Sequence, residues 1–129
     1  MQSIRFYSGL VLLTATLGFS GGAQAQLFPQ AKLPQQTGEA IYKGVCQTCH
    51  MPDAKGAVGA GTYPALANNS KLEVSGYPVA VVIHGQKAMP SFGQAMSDEQ
   101  VANIVNYVRT HFGNNYKDSV TPDDVKAAR

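Results

Sequence analysis

The chain is poor in cysteine, with two in 129 residues. Two thiols cannot build the disulfide framework on which small exported domains often rely, so such a domain would need some other covalent or metal staple. Charge is scarce as well. Only 14% of the residues are charged, and ten Lys and Arg against eight Asp and Glu leave a formal +2. That balance lacks the basic surplus of a nucleic-acid binder, and a hydrophobic content of 44% is too high for a disordered polyampholyte. No segment alternates as a half-buried strand does, and the closely spaced glycines around Gly59 and Gly61 neither match G-x-G-x-x-G nor follow a strand, which excludes a nucleotide site built on that motif. No nucleophile stands with a base and no paired carboxylates occur, so hydrolytic chemistry has no candidates. The length suits one domain.

The first residues read as an export signal. Arg5 precedes an apolar run from Leu10 to Phe19, and Gly21, Gly22, Ala23, Gln24 and Ala25 supply the small-residue region before a cleavage site. The run is shorter than the roughly 20 apolar residues of a spanning helix and is interrupted by Thr14, Thr16 and Gly18. Cleavage after Ala25 is expected, giving a periplasmic protein that starts at Gln26 and has no spanning segment. Arg5 is the sole charge removed, so the formal net charge falls from +2 to +1.

Residues 26–36 hold two prolines and no apolar period, and read as an extended lead-in. Thr37 is placed as an N-cap with Glu39 in the first turn, where the helix dipole favours an anion. Ile41 and Val45, Tyr42 and Cys46, then Cys49 form one stripe of a helix ending near His50, before Pro52. Residues 54–69 are rich in Gly and Ala and predict a loop, with close backbone approach to something flat as a reason for the glycines. A short helix is expected with Pro78 at its first position and Gly85 past its end. Ser97 and Gln100 form a capping box, and Val101, Ile104, Val105, Val108 and Phe112 continue a helix to Gly113. Thr121-Pro122-Asp123-Asp124 starts one last short helix. The expected fold class is all-α, with a central domain at 37–113 and a tail at 114–129.

Cys46-Gln47-Thr48-Cys49-His50 is C-x-x-C-H, the attachment sequence of c-type haem, in which two thiols bond the vinyl groups and the imidazole ligates iron. The spacing has a physical basis: thiols three apart on a helix lie on one side, and the next residue turns its ring toward the iron. Zinc lacks a fourth ligand at suitable spacing, and a thioredoxin-like dithiol would follow a strand. Covalent haem would also be the missing staple. With His50 as one axial ligand, the candidates for the other are Met51, Met89, Met96, His84 and His111. Met51 is too close in the chain to reach the opposite ring face, and Met96 stands where a hydrophobic staple would pack on Val101. Met89, outside any helix and held extended by Pro90, has no packing period to satisfy and is the favoured ligand. His84, Met96 and an iron with no second protein ligand remain as alternatives. His111 is read as a favourable charge in the last turn before Gly113.

From Thr37 to Gly113 the chain resembles the class I c-type cytochromes, through Cys46–His50, Tyr63-Pro64-Ala65-Leu66, Gly85 with Met89-Pro90-Ser91-Phe92, Ser97-Asp98-Glu99 and Asn106-Tyr107-Val108-Arg109. The resemblance implies a small fold whose first and last helices cross around one covalent haem with an exposed edge. It also implies that the Pro64 carbonyl accepts a hydrogen bond from the imidazole of His50. The segment Asn106–Asn114 with Val120–Val125 is similar to the ends of cytochrome subunits of bacterial membrane-associated dehydrogenases, which often carry three such domains; this chain has one motif. The implied function is an exported carrier of single electrons from a dehydrogenase to a respiratory acceptor, an oxidase or another cytochrome, with no substrate turnover of its own. A tightly bound dehydrogenase subunit, and a five-coordinate haem sensor or peroxidase, are the rival readings.

Overall fold

A computed structural model describes residues 32–129 other than residue 60. The expected export signal and cleavage site, and residues 26–31 of the expected lead-in, lie outside the described residues. Helix α1 runs over residues 38–50 and opens as expected: the Thr37 hydroxyl accepts from the Ala40 amide at 3.2 Å, and Glu39 pairs with Lys43 one turn on at 2.6 Å. Its interior departs from the apolar period. An α-helical turn at Gly38–Ile41 gives way to a π-helical stretch at Tyr42–Cys46 and returns to α-helix at Gln47–His50. Such wide turns are rare, and often accompany functional sites.

Helix α2 spans Gly76–His84. It begins two residues earlier than the Pro78 start predicted, which the chain tolerates because amides of a first turn have no intrahelical partner for proline to remove. Gly85 closes it at φ 76°, as its position past the end suggested. Helix α3 spans Asp98–Thr110 behind a complete Ser97–Gln100 capping box, with bonds of 3.2 and 2.8 Å. It stops three residues short of Gly113, because His111 is extended and Phe112 is left-handed at φ 56°. Side chains complete the last turn instead: the Asn114 amide donates to Val108 O at 2.7 Å and Thr110 Oγ1 to Asn106 O at 2.8 Å. Helix α4, Pro122–Ala127, has the Thr121 cap and leading proline read from the sequence.

One feature was not anticipated. Within the Gly-rich loop, β1 (Ala57–Val58) and β2 (Thr62–Tyr63) pair antiparallel, Ala57 opposite Tyr63 and Val58 opposite Thr62. Two residues per strand are too few to leave an alternating pattern in the sequence.

The fold is small and mostly helical, and α1 and α3 cross at Gly38. A Cβ there would lie 2.3 Å from Asn103 O and 2.5 Å from Tyr107 Cβ, so only glycine lets the two backbones approach this closely. Ile41 and Tyr42 of α1, Val101 and Val105 of α3, Met96 and Val125 are the largest fully buried apolar side chains among the described residues. The tail belongs to the same core. Val120 and Val125 are buried, and Asn106 binds Val120 through both its amide nitrogen and oxygen at 2.8 Å. Arg109 is fully buried. Its guanidinium donates to Leu72 O at 2.8 Å, Glu73 O at 2.9 Å, and both the carbonyl and the carboxylate of Asp118, joining α3, the turn before α2 and the tail.

Candidate functional site

Both cysteines are free and half-buried at the end of α1, Cys46 closing the π-helical stretch and Cys49 in the last turn. Burial pushes the Cys46 thiol up to about 11. His50 is buried, and its Nδ1 donates to Pro64 O at 2.9 Å. That bond sets the ring's tautomer and orientation. With Nδ1 protonated, the ring's lone pair is on Nε2, which has no hydrogen-bond partner among the described residues.

The chain reverses sharply after His50 to bring Pro64 under it. Met51 and Ala54 adopt positive φ of 66° and 59°, a conformation that costs a side-chain-bearing residue on the order of 1 kcal/mol or more. Fixed bonds hold the turn: Met51 N to Gln47 O at 2.9 Å, Tyr42 Oη to Met51 O at 2.7 Å, and the amides of Leu66 and Ala67 to Ala54 O at 2.8 and 2.9 Å. Gly56, at φ 68°, lies where a Cβ would be 2.1 Å from Tyr63 O and 2.8 Å from the Pro64 carbonyl carbon. Close approach does explain this glycine, but its neighbour is the protein's own backbone. Gly59 and Gly61 have open space around them.

Met89 comes from another part of the fold. It closes a tight turn after α2, in which Gln86 N donates to Met89 O at 3.0 Å and Met89 N to Gln86 O at 2.9 Å, and it is half-buried. No hydrogen bond ties this turn to the Cys46–His50 end among the described residues. The rival side chains all have other contacts. Met96 is 1% exposed and part of the core, a deeper placement than a surface staple. His84 donates from Nε2 to Ala128 O at 3.1 Å, and His111, beyond the end of α3, stacks on the Tyr107 ring with centroids 4.1 Å apart. Met51 caps α1.

Uncovered apolar surface flanks both places. Val58 and Tyr63 stand exposed on the hairpin leading to Pro64, and Val74 and Tyr77 at the start of α2, with Tyr77 Oη donating to Gln86 at 3.0 Å beside the Met89 turn. Among the described residues no group of three His, Cys, Asp or Glu side chains gathers to hold a bare metal ion. Two thiols, an oriented imidazole and flanking apolar surface fit a flat, apolar, metal-bearing group.

The family model for cytochrome c oxidase, cbb3-type, subunit III matches residues 34–108. The chain belongs to the cytochrome c family. This is an electron-transfer family, not an enzymatic one, and Cys46 and Cys49 have the spacing it uses for covalent haem. The chain is 36% identical over 108 residues to the fructose dehydrogenase cytochrome subunit of Gluconobacter japonicus, covering 71% of this chain and 22% of that protein. It is 33% identical over 112 residues to the gluconate 2-dehydrogenase cytochrome c subunit of Pantoea cypripedii, covering 73% and 24%. A cytochrome c6 from Aphanizomenon flos-aquae is 32% identical over 89 residues, which is 63% of this chain and 94% of that protein. The chain thus spans about a quarter of the dehydrogenase subunits' length and nearly all of the cytochrome c6. It is a cytochrome c domain related to both.

Sequence reasoning missed Arg109 as an anchor of the fold and Asn114 as an anchor of the site. Asn114 is buried and donates to Leu66 O at 2.8 Å while its Oδ1 accepts from Asn69 N at 2.9 Å, tying the segment that follows Pro64 to the end of α3. A polar residue just past a helix end was a visible signal, but two of its three partners lie more than forty residues away.

Proposed function

We propose that the protein is an exported monohaem cytochrome that carries single electrons from a dehydrogenase to a respiratory acceptor. Cys46 and Cys49 would hold one haem c by thioethers, and His50 and Met89 would ligate its iron. When bound, the haem supplies a one-electron iron couple. The chain's own residues orient and shield it: the Pro64 carbonyl fixes the His50 ring, the strained turn at Met51–Ala54 delivers that carbonyl, and the Met89 turn presents a thioether outside any helix. Export with cleavage after Ala25 completes this reading. Among the described residues no helix is long and apolar enough to cross a membrane.

The observation that carries the proposal is the His50–Pro64 hydrogen bond of 2.9 Å, which leaves Nε2 for a metal one residue from the second thiol. A dithiol site has no use for it, and a zinc site would need further ligands, which do not gather here among the described residues. The relatives among dehydrogenase subunits favour a second form of the same reading, a cytochrome held in a complex with its donor, which co-purification would distinguish from a diffusible carrier.

The test is spectroscopic. Colour should stay with the polypeptide through acidic organic extraction, and the ferric protein should show the weak sulfur-to-iron band at the red end of its spectrum. Met89→Ala should abolish that band and Met96→Ala should keep it; the reverse pattern would transfer the ligand role to Met96, and extractable colour would refute covalent attachment.

A further inference from the structure

The segment between the Met89 turn and α3 has an unusual arrangement of carbonyls. Four in succession, at residues 93–96, each accept a hydrogen bond from outside the segment. Arg129 donates to Gly93 O and, at 2.9 Å, to Met96 O. Lys32 Nζ donates to Gln94 O at 3.3 Å, and the Leu33 amide to Ala95 O at 3.1 Å. The Arg129 guanidinium is itself aimed by Asp98 in the first turn of α3, Nε to Oδ1 at 2.5 Å, with both side chains half-buried. Ala128, its neighbour, accepts from His84 Nε2 at the end of α2. The other end of the segment is pinned to α2, where Phe92 N donates to Val82 O at 2.9 Å and Gly93 N to Ile83 O at 3.1 Å.

We propose that the lead-in at Lys32–Leu33 and the tail at Arg129 form a clasp on residues 93–96 that holds the Met89 turn in its ligating position, with Arg129 as the principal positioning residue. This rests on the reading of Met89 as an axial ligand. The physical argument concerns what a loop must resist. A turn with a single pair of internal hydrogen bonds opens readily unless its flanks are fixed, and a thioether leaves iron when its backbone moves away. Arginine suits the task because its planar fork reaches two carbonyls and a carboxylate at once, with each donor charge-assisted. The contacts span 33 to 62 residues of sequence, so the clasp exists only once both ends of the domain have folded onto α3.

The experiment measures how readily an outside ligand replaces methionine. Imidazole binds the holoprotein in which the thioether has left, so its apparent affinity scales with that open fraction. Arg129→Ala should raise imidazole affinity on the order of tenfold and weaken the sulfur–iron band, while Arg129→Lys, a point charge unable to span the three acceptors, should restore it part-way. Lys32→Ala, at an exposed position that does not endanger folding, should raise it about twofold. Leu72→Ala is the control: it lowers the melting temperature from a buried site whose hydrogen bonds do not reach residues 93–96 and should leave imidazole affinity unchanged. If Arg129→Ala shifts affinity no more than Leu72→Ala does, and Lys32→Ala leaves it flat, the clasp is overturned while the ligand reading stands. A wild-type protein without the band, or a band that survives Met89→Ala, overturns the ligand reading and the clasp with it.

Discussion

Five consecutive residues at the end of α1 carry both thiols and the imidazole, whereas Met89 hangs between α2 and α3 on a stretch with no helix of its own. The first arrangement is set by helical geometry plus one long-range hydrogen bond, His50 to Pro64 across 14 residues. The second depends on partners from the lead-in, α2 and the tail, up to 62 residues away. The contrast teaches where each half is vulnerable. Attachment fails when a named side chain is lost, while the Met89 side fails when the packing of distant segments loosens.

The largest expected effect falls on the attachment end. Cys46→Ala or Cys49→Ala should leave little stable holoprotein, because a domain this small needs its cofactor to complete the core. Haem content per polypeptide after extraction is the measurement. Normal covalent haem in both single variants would break the comparison at its firmer side.

Arg109→Ala comes next, at about 1–3 kcal/mol, the range for stranding buried hydrogen-bond acceptors, here the carbonyls of Leu72 and Glu73. Urea unfolding should be followed in parallel by helical circular dichroism and by the sulfur–iron band. With Arg109 replaced, the start of the tail comes free, and the band should disappear at lower urea than the helices do. Coincident transitions would mean that the two sides are equally cooperative.

A smaller effect is expected in acid. Hydrogen bonding to Arg109 holds the Asp118 carboxyl below its ordinary value. A lowered folded pKa contributes stability that is complete above the unfolded carboxylate value, about 3.9, and is lost as pH falls through the folded one. Because Asp118 is largely exposed, the contribution is modest. Asp118→Asn should lower the melting temperature modestly at neutrality and converge with the wild type below about pH 4, which flattens the acid limb of the profile. An unchanged acid limb would show that the carbonyls of residues 72, 73 and 118 alone hold Arg109.

By itself the sequence determined the helical class, the caps at Thr37, Ser97 and Thr121, and the motif Cys46–His50, because caps, apolar periods and i,i+3 spacing act within one or two turns. It also singled out Pro64 and Met89, the first through resemblance and the second through the absence of any packing period. Tertiary structure alone decided the π-helical stretch ending at Cys46, the two-residue hairpin that delivers Pro64, the early stop of α3 at Thr110 and the burial of Met96. The anchoring roles of Arg109, Asn114 and Arg129 belong to the same group. Their hydrogen bonds run largely to backbone carbonyls, which every residue possesses, so no pairing of side-chain types records them in the sequence. Which carbonyl lies within reach of which side chain is settled only when the distant segments have packed.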